Sequence, residues 1–387
     1  MHAEADNVKL TWRQSFVLFF TGMGKCGNYT GMRMSSCATV MLCLLTCCHR
    51  GTVPVRRTPP IATPVLQQHD DVLTLARRQM ADLAPQIYFT LSGGKTYERA
   101  YEVADTLLRD GAAVSFRIQT RGNEVILEPR YADNELLWKA HQSEAVRATL
   151  TDAQRRALAV ARNIAQEACS THSGEYERAL ALHDYLVLNC TYNDSLSGQD
   201  TANATTRLLL SGQGVCDAYT RAYKLMLNIA GIKNIFVAGV AQGENHCWNL
   251  VRLEGRWVHV DCTYSDPMPD EPGRLCHTHF ALPDSLLEAD HKWNHSAYPA
   301  ATSAELYYPM RYHHFPTMRD LLVWLAYEPQ PHPHVTAYVE ELSHFADKRS
   351  GAQFLIEQAH ADLNAHIIRS FLVEDHLPGV IVCKLRR

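Results

Sequence analysis

Residues 246–264 read HCWNLVRLEGRWVHVDCTY, and no other run limits the fold so tightly. Two β-type segments flank Glu254-Gly255, the two-residue spacing of a tight hairpin. With Leu253 paired to Arg256, counting outward sets Trp248 opposite Asp261 and His246 opposite Thr263. Period-two alternation then gives His246, Trp248, Asp261 and Thr263 one face. Cys247, Val251, Val258, Val260 and Cys262 take the other face, which suits a core. His246 and Asp261 become diagonal neighbours. Their Cβ atoms lie roughly 7 Å apart or less, within reach of a side-chain hydrogen bond. That is the geometry of a base oriented by a carboxylate. Cys247 and Cys262 fall opposite each other, as two reduced core cysteines or a disulfide.

Upstream, residues 212–232 read GQGVCDAYTRAYKLMLNIAGI. Tyr219, Ala222, Tyr223, Met226, Leu227 and Ala230 fall at helical offsets on one face, and Gly231 follows as a C-cap. Gly212 and Gly214 supply permissive backbone for a tight entry turn. Cys216 then stands in the first helical turn, where unpaired N–H groups point. They lower a thiol's pKa and also offer a donor to an oxyanion. Cysteine is equally a small hydrophobe that favours cores. The presence of His246 and Asp261 tips the balance toward a nucleophile.

The rest of the chain sets limits. It has 387 residues, 46% apolar and 20% charged, which fits a globular protein with a real core. Net charge is −4 and no basic run stands out, so nucleic acid is not an expected partner. Residues 1–48 read as a leader. Met32 onward gives MRMSSCATVMLCLLTCCHRG, with Arg33 before an apolar Cys37–Cys48 segment too short to span a bilayer comfortably. LLTCC resembles a bacterial lipoprotein cleavage box, with Cys47 or Cys48 as lipid carrier. Export to the periplasm or cell surface is the expectation, with membrane attachment through that lipid or an uncleaved leader. Residues 49–69 read as a linker and 70–145 as a small α/β module. In the latter a strand at 87–91, a helix at 97–109 and strands at 113–119 and 124–129 make a βαββ unit. Residues 146–300 hold the core, with helices from Thr151-Asp152 to about Ala168 and from Tyr176 to Asn189, and a loop at 193–205. Residues 301–387 read as a second α/β module, whose element order hints at a repeat of the first.

Together, GQGVCDAY, ENHCWNLV and WVHVDCTYSDP closely resemble the transglutaminase-like superfamily over about Thr151–Trp293. Bacterial members carry similar G-x-G-V-C, H-A-W-N and V-D-x-T-x-x-D-P stretches. Here Cys247 replaces the usual alanine after the histidine, and Tyr264 a common tryptophan. The resemblance implies an α+β, papain-like fold: a helix bearing Cys216 packed on an antiparallel sheet bearing His246 and Asp261. It implies Cys216 as nucleophile, His246 as general base and acid, and Asp261 as orienting carboxylate. It also implies amide chemistry on a protein or peptide, by hydrolysis or by transfer to an amine. Tyr192 and Trp248 are candidates for substrate or oxyanion contact. No cofactor or metal is expected: His277, His279, His313, His314, His332 and His334 read as solvated loop histidines. Asp290-His291-Lys292-Trp293 resembles a segment that closes this core in bacterial members, and no chemistry is assigned to it. The alternative is a catalytically silent module that binds a partner or serves as structure at the cell surface.

Overall fold

A computed structural model describes residues 8–11, 65–66 and 69–386, apart from 267, 269, 272, 329, 331, 332, 364, 365 and 374–376. The Cys37–Cys48 segment, Cys47 and Cys48 among it, lies outside the described residues. Among the described residues, no helix is long and apolar enough to cross a membrane.

The centre of the chain is an α+β core. Its antiparallel sheet runs Phe280–Leu282, Arg256–Val260, Glu244–Leu253, Asn234–Ala241 and His291–Trp293, in that spatial order. The helices Asp152–Thr171, Glu175–Asn189, Ala204–Ser211 and Cys216–Ile229 lead into its strand Asn234–Ala241. Thr151 opens the first of them reciprocally with Gln154, each side chain bonded to the other's backbone N–H, so two orphan donors of the helix end are satisfied. Asp133 reaches from an earlier helix to cap another, accepting from the backbone N–H groups of Thr205 and Thr206. Helix and sheet share one apolar cluster. Tyr219, Tyr223, Leu225 and Met226 meet Val251, Val258, Val260 and Cys262 there. The tyrosines are buried without an unpaired hydroxyl: Tyr223 donates to the Ala179 carbonyl and Tyr176 to that of Leu306.

The two flanking modules share one connectivity. In the first, a strand at Val65–Leu66, a helix at His69–Ala81, a strand at Ile87–Leu91, a helix at Thr96–Arg109 and strands Ala113–Arg121 and Glu124–Tyr131 follow in order. Val65–Leu66 pairs parallel with Ile87–Leu91. Both Ile87–Leu91 and Ala113–Arg121 pair antiparallel with Glu124–Tyr131. The second repeats this with His314–Phe315, a helix at Met318–Tyr327, His334–Val339, a helix at Lys348–Leu363, Ile368–Val373 and Val380–Leu385, and the same pairings. A parallel strand and a helix precede the βαββ pattern in each unit; in the first, the helix at His69–Ala81 is the one the sequence indicates over 71–83, and only the parallel strand is added. Two short strands fall in segments that the sequence reads otherwise. Val65–Leu66 lies within the supposed linker. Val8–Thr11, within the supposed leader, pairs antiparallel with Ser115–Ile118 as an edge strand.

A buried ion pair ties the first module to the core. Arg221 Nε donates to Asp217 Oδ1 at 2.7 Å, its NH1 group donates to the Gly111 carbonyl, and its guanidinium sits 4.9 Å from the Phe236 ring centre. Both side chains are buried. Asp217 is therefore not the solvated first-turn charge that its position suggests. Removing one partner leaves the other charge uncompensated in the interior. Arg221→Ala is accordingly expected to lower stability by about 3–5 kcal/mol in chemical denaturation. A loss within ~0.5 kcal/mol, the range of an ordinary surface change, would contradict this account.

Candidate active site

The entry to the Cys216 helix is narrow. Thr191–Tyr192 and Gln213–Gly214 form a short parallel ladder, with Thr191 N donating to Gly212 O and Asn193 N to Gly214 O. A Cβ on Gly214 would stand 2.7 Å from Ala218 Cβ and 2.9 Å from Leu208 Cδ1, so only glycine allows that approach. Val215 precedes the helix, and no side chain caps this end. Cys216 is thus the first helical residue and remains partly exposed.

The hairpin has the register counted from the sequence, from Arg256 opposite Leu253 to Val260 opposite Asn249. The ladder then stops. Asp261 becomes the N-cap of a one-turn helix, Cys262–Ser265, with Oδ1 accepting from the N–H groups of Thr263 and Tyr264. Thr263 therefore does not oppose His246 across a ladder. Cys262 turns into the helical core, while Cys247 joins a separate cluster beside Cys216. Both cysteines are free.

Asp261 Oδ2 lies 2.6 Å from His246 Nε2. His246 is 6% exposed and Asp261 1%. The Cys216 thiol is close enough to the imidazole for each to shift the other's titration. Burial works against a charged ring, yet the Asp261 carboxylate and the bonds to it and to Cys216 push His246 up to about 10. Hydrogen bonding from Cys247 and then from His246 holds the Cys216 thiol well below its ordinary value, against the cost of burial. Cys247 moves the opposite way, raised by burial and by its bond to Cys216. Burial opposes charge on Asp261 too, but His246 and His291 keep its carboxyl well below the usual range. These shifts favour charge separation between Cys216 and His246, while Cys247 is pushed toward its neutral thiol. Thr220 Oγ1 fastens this arrangement, 2.8 Å from the Cys216 carbonyl and 2.9 Å from that of Cys247.

The two auxiliary candidates separate. Tyr192 is half-buried and close enough to Cys216 for its charge to help burial push the phenol up to about 12. It keeps its proton and can donate. Trp248 is corrected. It is 1% exposed, donates its indole N–H to His259 Nδ1 at 2.9 Å and stacks behind His246 with centroids 6.0 Å apart. It backs the ring and cannot meet a substrate. Its sheet neighbour Gly239 explains the close fit, since a Cβ there would stand 2.4 Å from the indole.

His277 and His279 are also corrected: both are buried, and so is His334 within a strand. His332 lies outside the described residues. The residue that sequence reasoning passed over is His291, fully buried against Asp261 and Asp290. The visible signal was the inward-outward alternation of His291, Lys292 and Trp293 in a closing strand.

Three groups place His and Asp ligand atoms within 4.8 Å of one another: His183, Asp184 and His277; His246, Asp261 and His291; His279, Asp290 and His291. In each, those atoms are engaged with one another as hydrogen bonds. His183 and His277 both reach Asp184 Oδ1 at 2.9 Å. The far nitrogen of His183 has no hydrogen-bond partner, whereas a metal-bound histidine almost always donates from that atom. The donor sets are better explained by proton sharing than by a cation.

Residues 162–262 match the sequence model of the transglutaminase-like superfamily. The chain is 28% identical over 110 residues to kyphoscoliosis peptidase of Mus musculus, and 26% to that of Homo sapiens; each match covers 25% of this chain. It spans only 17% of the length of these curated relatives. Among solved structures, the periplasmic domain of TgpA from Pseudomonas aeruginosa is similar at 20% identity, covering 38% of this chain and 58% of that one, with a TM-score of 0.26. The arrangement at Cys216 is of the thiol–imidazole–carboxylate class. The stretch that matches, residues 162–262, carries Cys216, His246 and Asp261 and is similar to the transglutaminase-like superfamily.

Proposed function

We propose that this chain is a thiol enzyme acting on amide bonds of proteins or peptides through Cys216, His246 and Asp261. The observation that carries the reading is the buried 2.6 Å bond between His246 and Asp261, with Cys216 close to the ring at an uncapped helix end. The curated relatives bear the name peptidase, which supports an amide substrate.

The steps follow from the groups present. The Cys216 thiolate adds to the substrate carbonyl carbon. The free N–H groups at the helix start, with the Tyr192 hydroxyl, hold the developing oxyanion. His246 gives its proton to the leaving nitrogen as the C–N bond breaks, leaving a thioester and a neutral imidazole. That imidazole then takes a proton from water or from an incoming amine, the thioester is cleaved, and the thiolate–imidazolium pair is restored. Asp261 stays ionised throughout and keeps the ring in place. Water as acceptor gives hydrolysis; a primary amine gives transfer.

A peptide library incubated with and without an added primary amine, read by mass spectrometry, tests the reading. Cleaved or deamidated peptides mark hydrolysis and amine adducts mark transfer. A library unchanged in both arms, with Cys216 still open to alkylation, rules the enzymatic reading out.

A further inference from the structure

Behind Asp261 the polar contacts do not end. His291 Nε2 lies 3.1 Å from Asp261 Oδ2, the same oxygen that serves His246. His291 Nδ1 lies 2.5 Å from Asp290 Oδ1. Asp290 Oδ2 in turn faces His279 Nε2 at 3.3 Å. Each ring nitrogen of His291 thus has a carboxylate oxygen as neighbour. An ionised carboxylate only accepts, so a ring bonded to two of them must carry both protons. A neutral ring would set one lone pair against another. Asp261 cannot be the group that supplies a proton instead. Its Oδ1 already accepts two backbone N–H groups and its Oδ2 accepts from His246.

A histidine in the same cluster provides the contrast. His259 accepts the Trp248 indole N–H on Nδ1 and faces Asp284 with Nε2 at 2.8 Å. One donor and one acceptor fit a neutral ring, and burial holds His259 below its ordinary value despite Asp284. For His291 burial has the same sense, but its bonds to Asp261 and Asp290 prevail and raise it.

We propose that His291 is a buried imidazolium, a positioning residue that shares Asp261 with His246 and so limits how firmly His246 holds its proton. The catalytic meaning rests on the reading of Cys216 and His246 given above; the charge state does not. Among the described residues, Asp261, Asp290, His246, His279 and Tyr264 are titratable groups facing the ring, His259 acts on it through space, and the Tyr264 and Trp248 rings lie 4.7 and 5.0 Å from its centre. The neighbouring Lys292 points out of the sheet. Backbone pairing to Ala241, with Gln242 N donating to Asp290 O, holds the segment. Charges therefore alternate along the line Cys216, His246, Asp261, His291, Asp290. If His291 loses its charge, the full attraction of Asp261 falls on His246. The base then releases its proton at higher pH, and gives it less readily to a leaving amine.

The test uses the full chain labelled with ¹⁵N-histidine, titrated by NMR from pH 6 to 11. The His291 signals, identified by their loss in His291→Gln, should report both ring nitrogens protonated from pH 6 to 9. The His246 midpoint, identified through His246→Gln, should rise by about one pH unit in His291→Gln, the scale of losing a neighbouring charge. Asp290→Asn keeps the bond from His291 to Asp261 but removes the second carboxylate. It should move the midpoint in the same direction, and it serves if His291→Gln does not fold. A His291 with one unprotonated nitrogen at pH 7 overturns the proposal. So does a His246 midpoint unmoved in a folded variant, because a merely structural histidine would leave it in place. These readings need no substrate. A chain that shows them without turning over any peptide would refute the enzymatic reading and leave this one standing.

Discussion

Cys216→Ala should abolish acyl-enzyme formation while leaving the fold intact. The side chain stands in the first turn of its helix, partly exposed, so losing the sulfur opens no deep cavity. What is lost is, among the described residues, the only thiol that combines partial exposure, a helix start and a histidine partner. Cys190, Cys247, Cys262, Cys276 and Cys383 are buried, and the other partly exposed cysteine, Cys169, lies near the end of a helix. In the parent protein, iodoacetamide near pH 6.5 should therefore label Cys216 first, because the thiolate is the reactive species. Peptide mapping that finds Cys169 or Cys190 modified ahead of Cys216 would overturn the assignment of the nucleophile.

His246→Ala should cost roughly 10²-fold or more in turnover on an amide substrate, the scale of a positioned acid–base group. It removes the proton donor to the leaving nitrogen. It also removes one of the two bonds that hold the Cys216 thiol down. The alkylation profile should change with it: the half-point for Cys216 labelling moves to higher pH. Asp261 comes next in the series. Asp261→Asn keeps an oxygen for the Thr263 and Tyr264 N–H groups but loses the charge, and should retain partial activity. Asp261→Ala also uncaps the one-turn helix and should lose more. The expected order of damage is Cys216→Ala, His246→Ala, Asp261→Ala, Asp261→Asn. An Asp261→Ala protein that folds by circular dichroism and works at the parent rate would remove Asp261 from the mechanism.

Some of this was legible in the sequence because it is local. The Glu254-Gly255 turn fixes which residues of two adjacent strands share a face, so the meeting of His246 and Asp261 could be counted out. Cys216 was legible from glycines before it and helical periodicity after it. The counting failed where the ladder stops at Val260 and Asp261 starts a helix, an exchange of strand for cap that alternation does not signal. Cys247 was read as a core residue facing Cys262. Alternation along one strand says nothing about a helix end arriving from elsewhere, and that end brings Cys216 against Cys247. His291 was missed for the same reason. It lies thirty residues from Asp261 in sequence and reaches it only because its strand pairs with Asn234–Ala241, at the far side of the sheet from Arg256–Val260. His277 and His279 looked solvated among polar neighbours, but a buried histidine needs only a carboxylate, which Asp184 and Asp290 provide. The repeat between the modules left almost no trace in residue identity, since a sheet order can be kept by burial pattern alone.

The doubled module bears on how this chain comes apart. Val72 to Leu127 close one apolar cluster among themselves, and Met318 to Cys383 close another. The core holds a third, from Leu137 to Leu306. The second unit completes its sheet from a continuous stretch, as does the first apart from its edge strand Val8–Thr11, so most of their pairing is won over short loops. The central sheet instead pairs His291–Trp293 with Asn234–Ala241 across three intervening strands and two short helices. A further cluster joins the core to the second unit, where Leu377 and Val380 meet Val237, Trp248 and Trp293, so the first unit is the better candidate for a separate cooperative step. The strand that carries His291 is at the edge of the central sheet. Trp293 on that strand belongs to the shared cluster, so opening at the edge would loosen the second unit's seat as it releases the proton network.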